Sequence, residues 1–169
     1  GLDWALDSTL LMTCGNEQDV MFWSVTTQEI AGSFDDMRDV DWETFTCTIG
    51  WPVQGVVGTG IQTTSCCRSL SGHILAAANT DGIMRLFRYP CVDEVVSRRV
   101  LAHPGPVTNV RFVSDDSCVI SLCGADMCLL QWKLVSVPKG TDVSVLKLID
   151  GASAPCSRAG VAPGAMVPG

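Results

Sequence analysis

Residues 116–132 read DSCVISLCGADMCLLQW. Asp116-Ser117 is a turn pair, and the run that follows is apolar and partly β-branched, as a strand requires. Gly124 tolerates the positive φ of a tight turn. Asp126 can accept hydrogen bonds from that turn's own backbone, and a second apolar run ends at Trp132. Two antiparallel strands joined by a short turn account for all of these features.

Two other segments align with this one without a gap: 7–23, DSTLLMTCGNEQDVMFW, and 71–87, SGHILAAANTDGIMRLF. Each opens on a turn pair, Asp7-Ser8 or Ser71-Gly72. Each has Gly15 or Asn79 at the glycine position, Glu17 or Asp81 at the acid, and Trp23 or Phe87 at the aromatic. The aromatics are spaced 64 and then 45 residues apart. The second spacing matches the period of about 40–45 residues of WD40 propeller blades. The first is a blade with an insertion, roughly residues 35–60. Apolar runs on both sides of each turn fit sheets covered on both faces.

The third repeat is the most complete. Ala102-His103 stands where WD40 repeats carry Gly-His, and a strand is expected over Val107–Phe112. His103, Ser121, Asp126 and Trp132 resemble the WD40 structural tetrad, in which four such side chains link within one blade. Lys133 replaces the aspartate of the Trp-Asp pair. The gapless alignment puts Met12 and Ala76 at the Ser121 position. Neither of those repeats has a matching histidine, so both are expected to rely more on packing than on the network.

Composition narrows the class further. The chain has 169 residues, 47% of them hydrophobic and 17% charged, enough to bury a core. No run is long and apolar enough for a membrane span, and the start lacks the pattern of a secretory signal. The opening Gly1-Leu2-Asp3-Trp4 falls in mid-pattern and reads as a piece of something longer. The formal net charge is −7. Residues 1–50 hold ten acids and one base, Arg38. No basic stripe with interleaved aromatics points to nucleic acid. The nine cysteines sit mostly in apolar runs and read as reduced core thiols of a cytosolic protein. A zinc site from Cys66, Cys67 and a histidine is disfavoured, because adjacent cysteines do not match structural-zinc spacing.

Ser121, His103 and Asp126 are also a nucleophile, a base and an acid, so a hydrolase must be weighed. No G-x-S-x-G elbow surrounds Ser121, and Trp132 completes the structural set instead. His73 follows Gly72 and reads as an exposed turn histidine. Gly58 and Gly60 form only G-x-G, too weak for a phosphate loop. Arg98-Arg99 reads as a solvated basic spot.

Longer strings carry a family resemblance. They are DVDWETFTC (Asp39–Cys47), GWPVQGV (Gly50–Val56), LFRYPC (Leu86–Cys91), AHPGPVTNVRF (Ala102–Phe112) and DMCLLQWKL (Asp126–Leu134). Together they resemble the C-terminal propeller of the echinoderm microtubule-associated protein-like family, over about residues 1–137. The resemblance implies a non-enzymatic scaffold that binds tubulin or microtubules, cytoplasmic and cytoskeleton-associated. It implies protein partners, with no cofactor, metal, nucleic acid, membrane or small-molecule substrate. The alternative is a generic WD40 interaction module in a signalling or ubiquitin-ligase complex.

The expected fold is all-β: a WD40 β-propeller fragment of about three four-stranded blades over residues 1–150, incomplete because propellers close with about 4–8 blades. Residues 142–149 can supply a further strand. Residues 151–169, rich in Ala, Gly and Pro, are expected to be disordered. Open sheet faces should make an isolated fragment self-associate. The partner surface is unknown, and the insertion is the first place to look for it. The plainer expectation is that Trp42 and Trp51 pack beneath that insertion.

Overall fold

The computed structural model describes residues 1–15, 19–57, 61–93, 97–135 and 145–148. Glu17, Gly58, Gly60, Cys156 and the tail 151–169 lie outside the described residues.

Each repeat segment sits in its own antiparallel sheet, with strands in chain order. The first contains β1 (Leu2–Trp4), β2 (Leu10–Cys14) and β3 (Val20–Ser24). The second contains β4 (Thr63–Arg68), β5 (Ile74–Asn79), β6 (Ile83–Arg88) and β7 (Arg98–Leu101). The third contains β8 (Val107–Phe112), β9 (Cys118–Cys123), β10 (Cys128–Val135) and β11 (Val145–Leu148). β11 is the further strand expected within 142–149. Among the described residues the first blade has three strands, where four are expected of a full one.

Strand alternation decides which side chain meets which neighbour. In β5, Leu75 and Ala77 belong to the core shared with the first blade, and Ala76 and Ala78 to the core shared with the third. In β6, Phe87 faces the first core while Met84 and Leu86 face the second. The middle blade is therefore covered on both sides, which is why its strands read as nearly unbroken apolar runs. The three alanines, all fully buried, keep the sheet thin enough for both neighbours to approach.

The first blade buries one face only. Asp3, Met12 and Phe22 lie in register and face inward. Leu2, Trp4 and Met21 lie on the other face and stay exposed. At the opposite end of the row, Leu122 and Leu129 of the third blade are exposed as well.

The insertion is a wall between blades, not a protruding loop. Trp42, Phe45, Cys47, Val53 and Val56 are buried between the first and second sheets. Trp42 is thus packed as the plainer expectation has it. Trp51 is half-buried, 6.0 Å from the Phe34 ring, with the Arg38 guanidinium over its face at 5.4 Å. Buried Asp3 ties the wall down by accepting from Thr44 Oγ1 at 2.7 Å and from the Thr46 and Cys47 N–H groups at 2.8 Å. The acids Asp35, Asp36, Asp39, Asp41 and Glu43 all point to solvent.

The repeats differ by one residue from the gapless alignment. The opening turns put positive φ at Ser8, Gly72 and Asp116. That makes Asp116, not Ser117, the equivalent of Ser8. The surplus residue lies in the hairpin of the third blade: six residues separate the paired Leu122 and Leu129, against five between Cys14 and Val20 and five between Ala78 and Met84. In register terms Trp132 stands opposite Val119, Trp23 opposite Leu11 and Phe87 opposite Leu75. The positions equivalent to Ser121 are therefore Thr13 and Ala77, rather than Met12 and Ala76. A slip of one residue in a strand exchanges its faces, and Met12 does face the opposite side from Trp23.

Candidate functional site

The four residues of the expected tetrad lie in one chain of hydrogen bonds. His103 precedes β8, Ser121 lies on β9, Asp126 occupies the β9–β10 turn and Trp132 lies on β10. His103 Nδ1 is 2.8 Å from Asp126 Oδ2. His103 Nε2 is 2.9 Å from Ser121 Oγ. Trp132 Nε1–H donates to the same Ser121 oxygen at 2.9 Å.

The donors and acceptors close on one assignment. Asp126 only accepts, so His103 Nδ1 carries the proton. Nε2 then accepts from the Ser121 hydroxyl, whose oxygen is free to accept from the indole. Asp126 is fixed in turn by the Cys128 N–H, which donates to Oδ1 at 2.9 Å. Partial desolvation works against the Asp126 carboxylate, but the bonds from His103 and Cys128 outweigh it and hold its pKa below the usual value.

His103 is placed by the blade before its own. Its N–H and that of Ala102 both donate to the Gly82 carbonyl, at 3.1 and 3.0 Å. Gly82 sits in the β5–β6 turn with φ +77°, and a Cβ there would meet the His103 carbonyl oxygen at 2.2 Å. Only glycine satisfies both the backbone angle and the approach.

The other blades hold polar networks that sequence reading missed. In the first, Trp23 Nε1–H donates to Thr13 Oγ1 at 3.1 Å, so the indole–hydroxyl half of the arrangement persists. In the second, Arg85 stands opposite Ala77, the small residue in the hydroxyl's place. Its guanidinium donates to Asn79 Oδ1 at 2.7 Å and pairs with Asp81 Oδ2 at 2.7 Å. Asp81 also accepts from the Ile83 N–H at 3.1 Å. Arg85 is almost wholly buried. These blades, expected to rely more on packing than on the tetrad network, each hold polar bonds of their own. Asp81 at the turn was the one legible signal, since a turn acid has an open second oxygen.

The remaining candidates separate. Cys66 and Cys67 are successive strand residues: Cys66 belongs to the first core, while Cys67 packs against the second. They cannot converge on one ion. His103, Cys123 and Asp126 do bring ligand atoms within 4.8 Å of one another. Both His103 nitrogens are already engaged, however, and the hydrogen bonds account for the geometry without a metal. His73 is exposed in a bend, as expected, and Arg98 and Arg99 are exposed on β7. The eight described cysteines are all free. Burial pushes the Cys91 thiol up to about 12. Cys14 differs: its hydrogen bond with Cys47 draws it down to about 5, against the cost of partial burial.

The strings outside the repeat converge as well. The Gly55 N–H donates to the Cys91 carbonyl at 2.8 Å, and the Cys91 N–H to the Pro52 carbonyl at 2.8 Å. Phe45 and Tyr89 rings lie 5.9 Å apart. A family model described as the second β-propeller of the echinoderm microtubule-associated protein matches residues 1–134. The chain belongs to the echinoderm microtubule-associated protein family.

Individual members bear this out. The chain is 37% identical over 140 residues to echinoderm microtubule-associated protein-like 2 of Rattus norvegicus, an alignment covering 79% of this chain and 21% of that protein. It is 35% identical over 157 residues to echinoderm microtubule-associated protein-like 4 of Mus musculus, covering 86% and 16%. It is 37% identical over 141 residues to the 77 kDa echinoderm microtubule-associated protein of Lytechinus variegatus, covering 79% and 21%. The chain thus spans about a fifth of the length of these relatives. Among solved structures, the Swd1 β-propeller domain of Myceliophteria thermophila superposes with a TM-score of 0.54 at 13% identity, covering 87% of this chain and 56% of that one. That likeness supports the WD40 propeller fold. No helix among the described residues is long and apolar enough to cross a membrane.

Proposed function

We propose that this chain is part of a non-enzymatic WD40 scaffold that associates with tubulin or microtubules through protein–protein contacts. The observation that carries this reading is the family match over residues 1–134, whose named relatives are microtubule-associated proteins. The corresponding location is cytoplasmic and cytoskeletal. No cofactor, nucleic acid, membrane or small-molecule substrate enters the proposal.

Charge limits how the contact is made. With a net −7 and an exposed acidic insertion, the chain is repelled by an acidic surface such as that of a microtubule. The long-range attraction therefore comes from outside this segment, which contributes short-range, specific contacts.

We read His103, Ser121, Asp126 and Trp132 as structural rather than catalytic. The Ser121 side chain has no exposed surface, its O–H already donates to an imidazole, and its oxygen accepts from an indole. A substrate carbonyl has no route to it. The whole protein that contains this chain should co-sediment with microtubules or retain soluble tubulin on a column. Absence of both, with a different protein recovered reproducibly, would favour the signalling or ubiquitin-ligase module instead. Hydrolysis of an ester or peptide panel that disappears in Ser121→Ala would overturn the structural reading of the tetrad.

A further inference from the structure

The first strands of the second and third blades, part of the insertion, and Gly1, Cys14 and Gly15 of the first blade line an open cavity of ≈ 680 Å³. β4 and β8 are both bulged at its wall. The register skips between Thr63 and Ser65 in one and between Val107 and Asn109 in the other, leaving Thr64 and Thr108 as surplus residues. The Thr108 hydroxyl turns back on its own sheet to the Leu122 carbonyl at 3.1 Å, while that of Thr64 lies between the Ala78 carbonyl of its own sheet, at 3.1 Å, and the Val107 carbonyl of the next blade. Bulges of this kind re-aim neighbouring side chains and recur beside binding sites.

The lining lacks the carboxylates that give the rest of the chain its charge. None of the described residues that line the cavity is a carboxylate, and Arg111 is the one cationic side chain among them. Arg111 is anchored through a single nitrogen: Nη1 donates to Val110 O at 2.7 Å, Ser65 Oγ at 3.1 Å and Cys66 O at 3.2 Å. Its Nε and Nη2 have no hydrogen-bond partner among the described residues. Ser65 Oγ donates to Asn109 Oδ1 at 3.1 Å, so the Asn109 amide NH₂ is left to donate outward. Thr63 Oγ1 accepts from Asn79 Nδ2 at 3.2 Å and keeps its own proton available. A fixed guanidinium edge, an amide and a hydroxyl are thus donors without acceptors.

We propose that this cavity binds a carboxylate side chain from an acidic peptide segment of a protein partner, with Arg111 as the pairing cation. A planar carboxylate matches the free guanidinium edge in two parallel hydrogen bonds. A phosphoryl group of charge near −2 calls for an arginine cluster, and Arg111 is the one arginine in the described lining. Cys14 also lines the cavity. The proposal rests on the scaffold reading only in taking a protein segment as occupant. Failure of tubulin association leaves the cavity's chemistry untouched, and failure of peptide binding leaves tubulin association untouched.

The test is fluorescence anisotropy of a labelled hexapeptide alternating glycine and glutamate, titrated with the 169-residue chain. Saturable binding is expected, about tenfold tighter than for the glutamine counterpart, a difference of about 1.4 kcal/mol. Arg111→Gln should weaken glutamate-peptide binding about tenfold, and Thr108→Glu, which sets a like charge at the exposed wall, by a similar factor. Arg98→Gln should leave it unchanged. Because Arg111 also braces β4, circular dichroism checks each variant, and Thr108→Glu decides should Arg111→Gln fail to fold. Absence of saturable binding, wild-type affinity in folded Thr108→Glu, or tighter binding of a phosphoserine peptide would each overturn the proposal.

Discussion

Gly82 and His103 belong to different blades and are built against one another: the glycine carbonyl accepts the histidine N–H at 3.1 Å, and no Cβ fits between them. The turn of one blade thereby sets the position of the imidazole that organises the next.

Gly82→Ala should therefore be costly in two ways, through strain at φ +77° and through collision with the His103 carbonyl. A loss of about 3 kcal/mol is expected. Gly72 supplies the control: its φ is +71°, but nothing lies within 4 Å of its Cβ position, so Gly72→Ala should cost only about 1 kcal/mol. Denaturant melts of the two variants measure the difference, and equal losses would mean that the blade contact contributes nothing.

Ser121→Ala leaves both His103 Nε2 and the Trp132 indole unpaired in a buried site. Its expected cost is about 2 kcal/mol, within the range for orphaning buried polar groups. Thr13→Val removes only the Trp23 bond in a part-buried place and should cost about half as much. Thermal or urea unfolding of the two variants ranks them.

The second blade predicts a pH dependence. The hydrogen bond from Arg85, then that from the Ile83 N–H, holds the Asp81 carboxyl below its ordinary value. A depressed folded-state pKa contributes stability above the unfolded-state value, and that contribution disappears as pH falls through the folded-state one. Stability should thus decline below about pH 4, with less of a decline in Arg85→Leu. The same substitution should cost about 2–3 kcal/mol at neutral pH, from lost bonds to a charged partner. Unfolding measured from pH 7 down to pH 2 gives both results, and parallel curves for the two proteins would remove Arg85 from the account.

Cys14 should be the first thiol to be alkylated. Its pKa is drawn down to about 5, and it is half-buried at a cavity wall, whereas burial pushes Cys66 and Cys91 up. Thiolate fraction and access together govern the rate. Peptide mapping after brief iodoacetamide treatment at pH 7 should find Cys14 modified ahead of Cys91. Equal labelling would show that the Cys47 contact does not favour the thiolate.

What the sequence disclosed is what local chemistry encodes. A turn acid, the apolar runs and the terminal aromatic lie within the 17 residues of 116–132, and His103 stands 13 residues ahead of them, so the blades and the His103–Trp132 set were readable. The one-residue surplus in the third hairpin was not, because strand periodicity alone cannot say on which side of a turn an extra residue falls. Arg85 was missed because arginine is seldom buried, and its accommodation depends on Ala77 being small on the facing strand. Asp3 was missed because its partners lie more than forty residues away, at Thr44, Thr46 and Cys47. The wall formed by the insertion had the same cause: its aromatics pack on two sheets, and only three dimensions bring those together.

The division of β5 between two cores bears on how such a chain can change over evolutionary time. Leu75 and Ala77 meet a lining of aromatics and thiols, while Ala76 and Ala78 meet aliphatic side chains and an indole. The middle blade is fitted to two dissimilar neighbours and cannot be shuffled as an interchangeable cassette. A graft from a related propeller would need to carry the stretch from Trp42 to Val56 with it, so that the heritable unit is the blade together with the wall on which it leans.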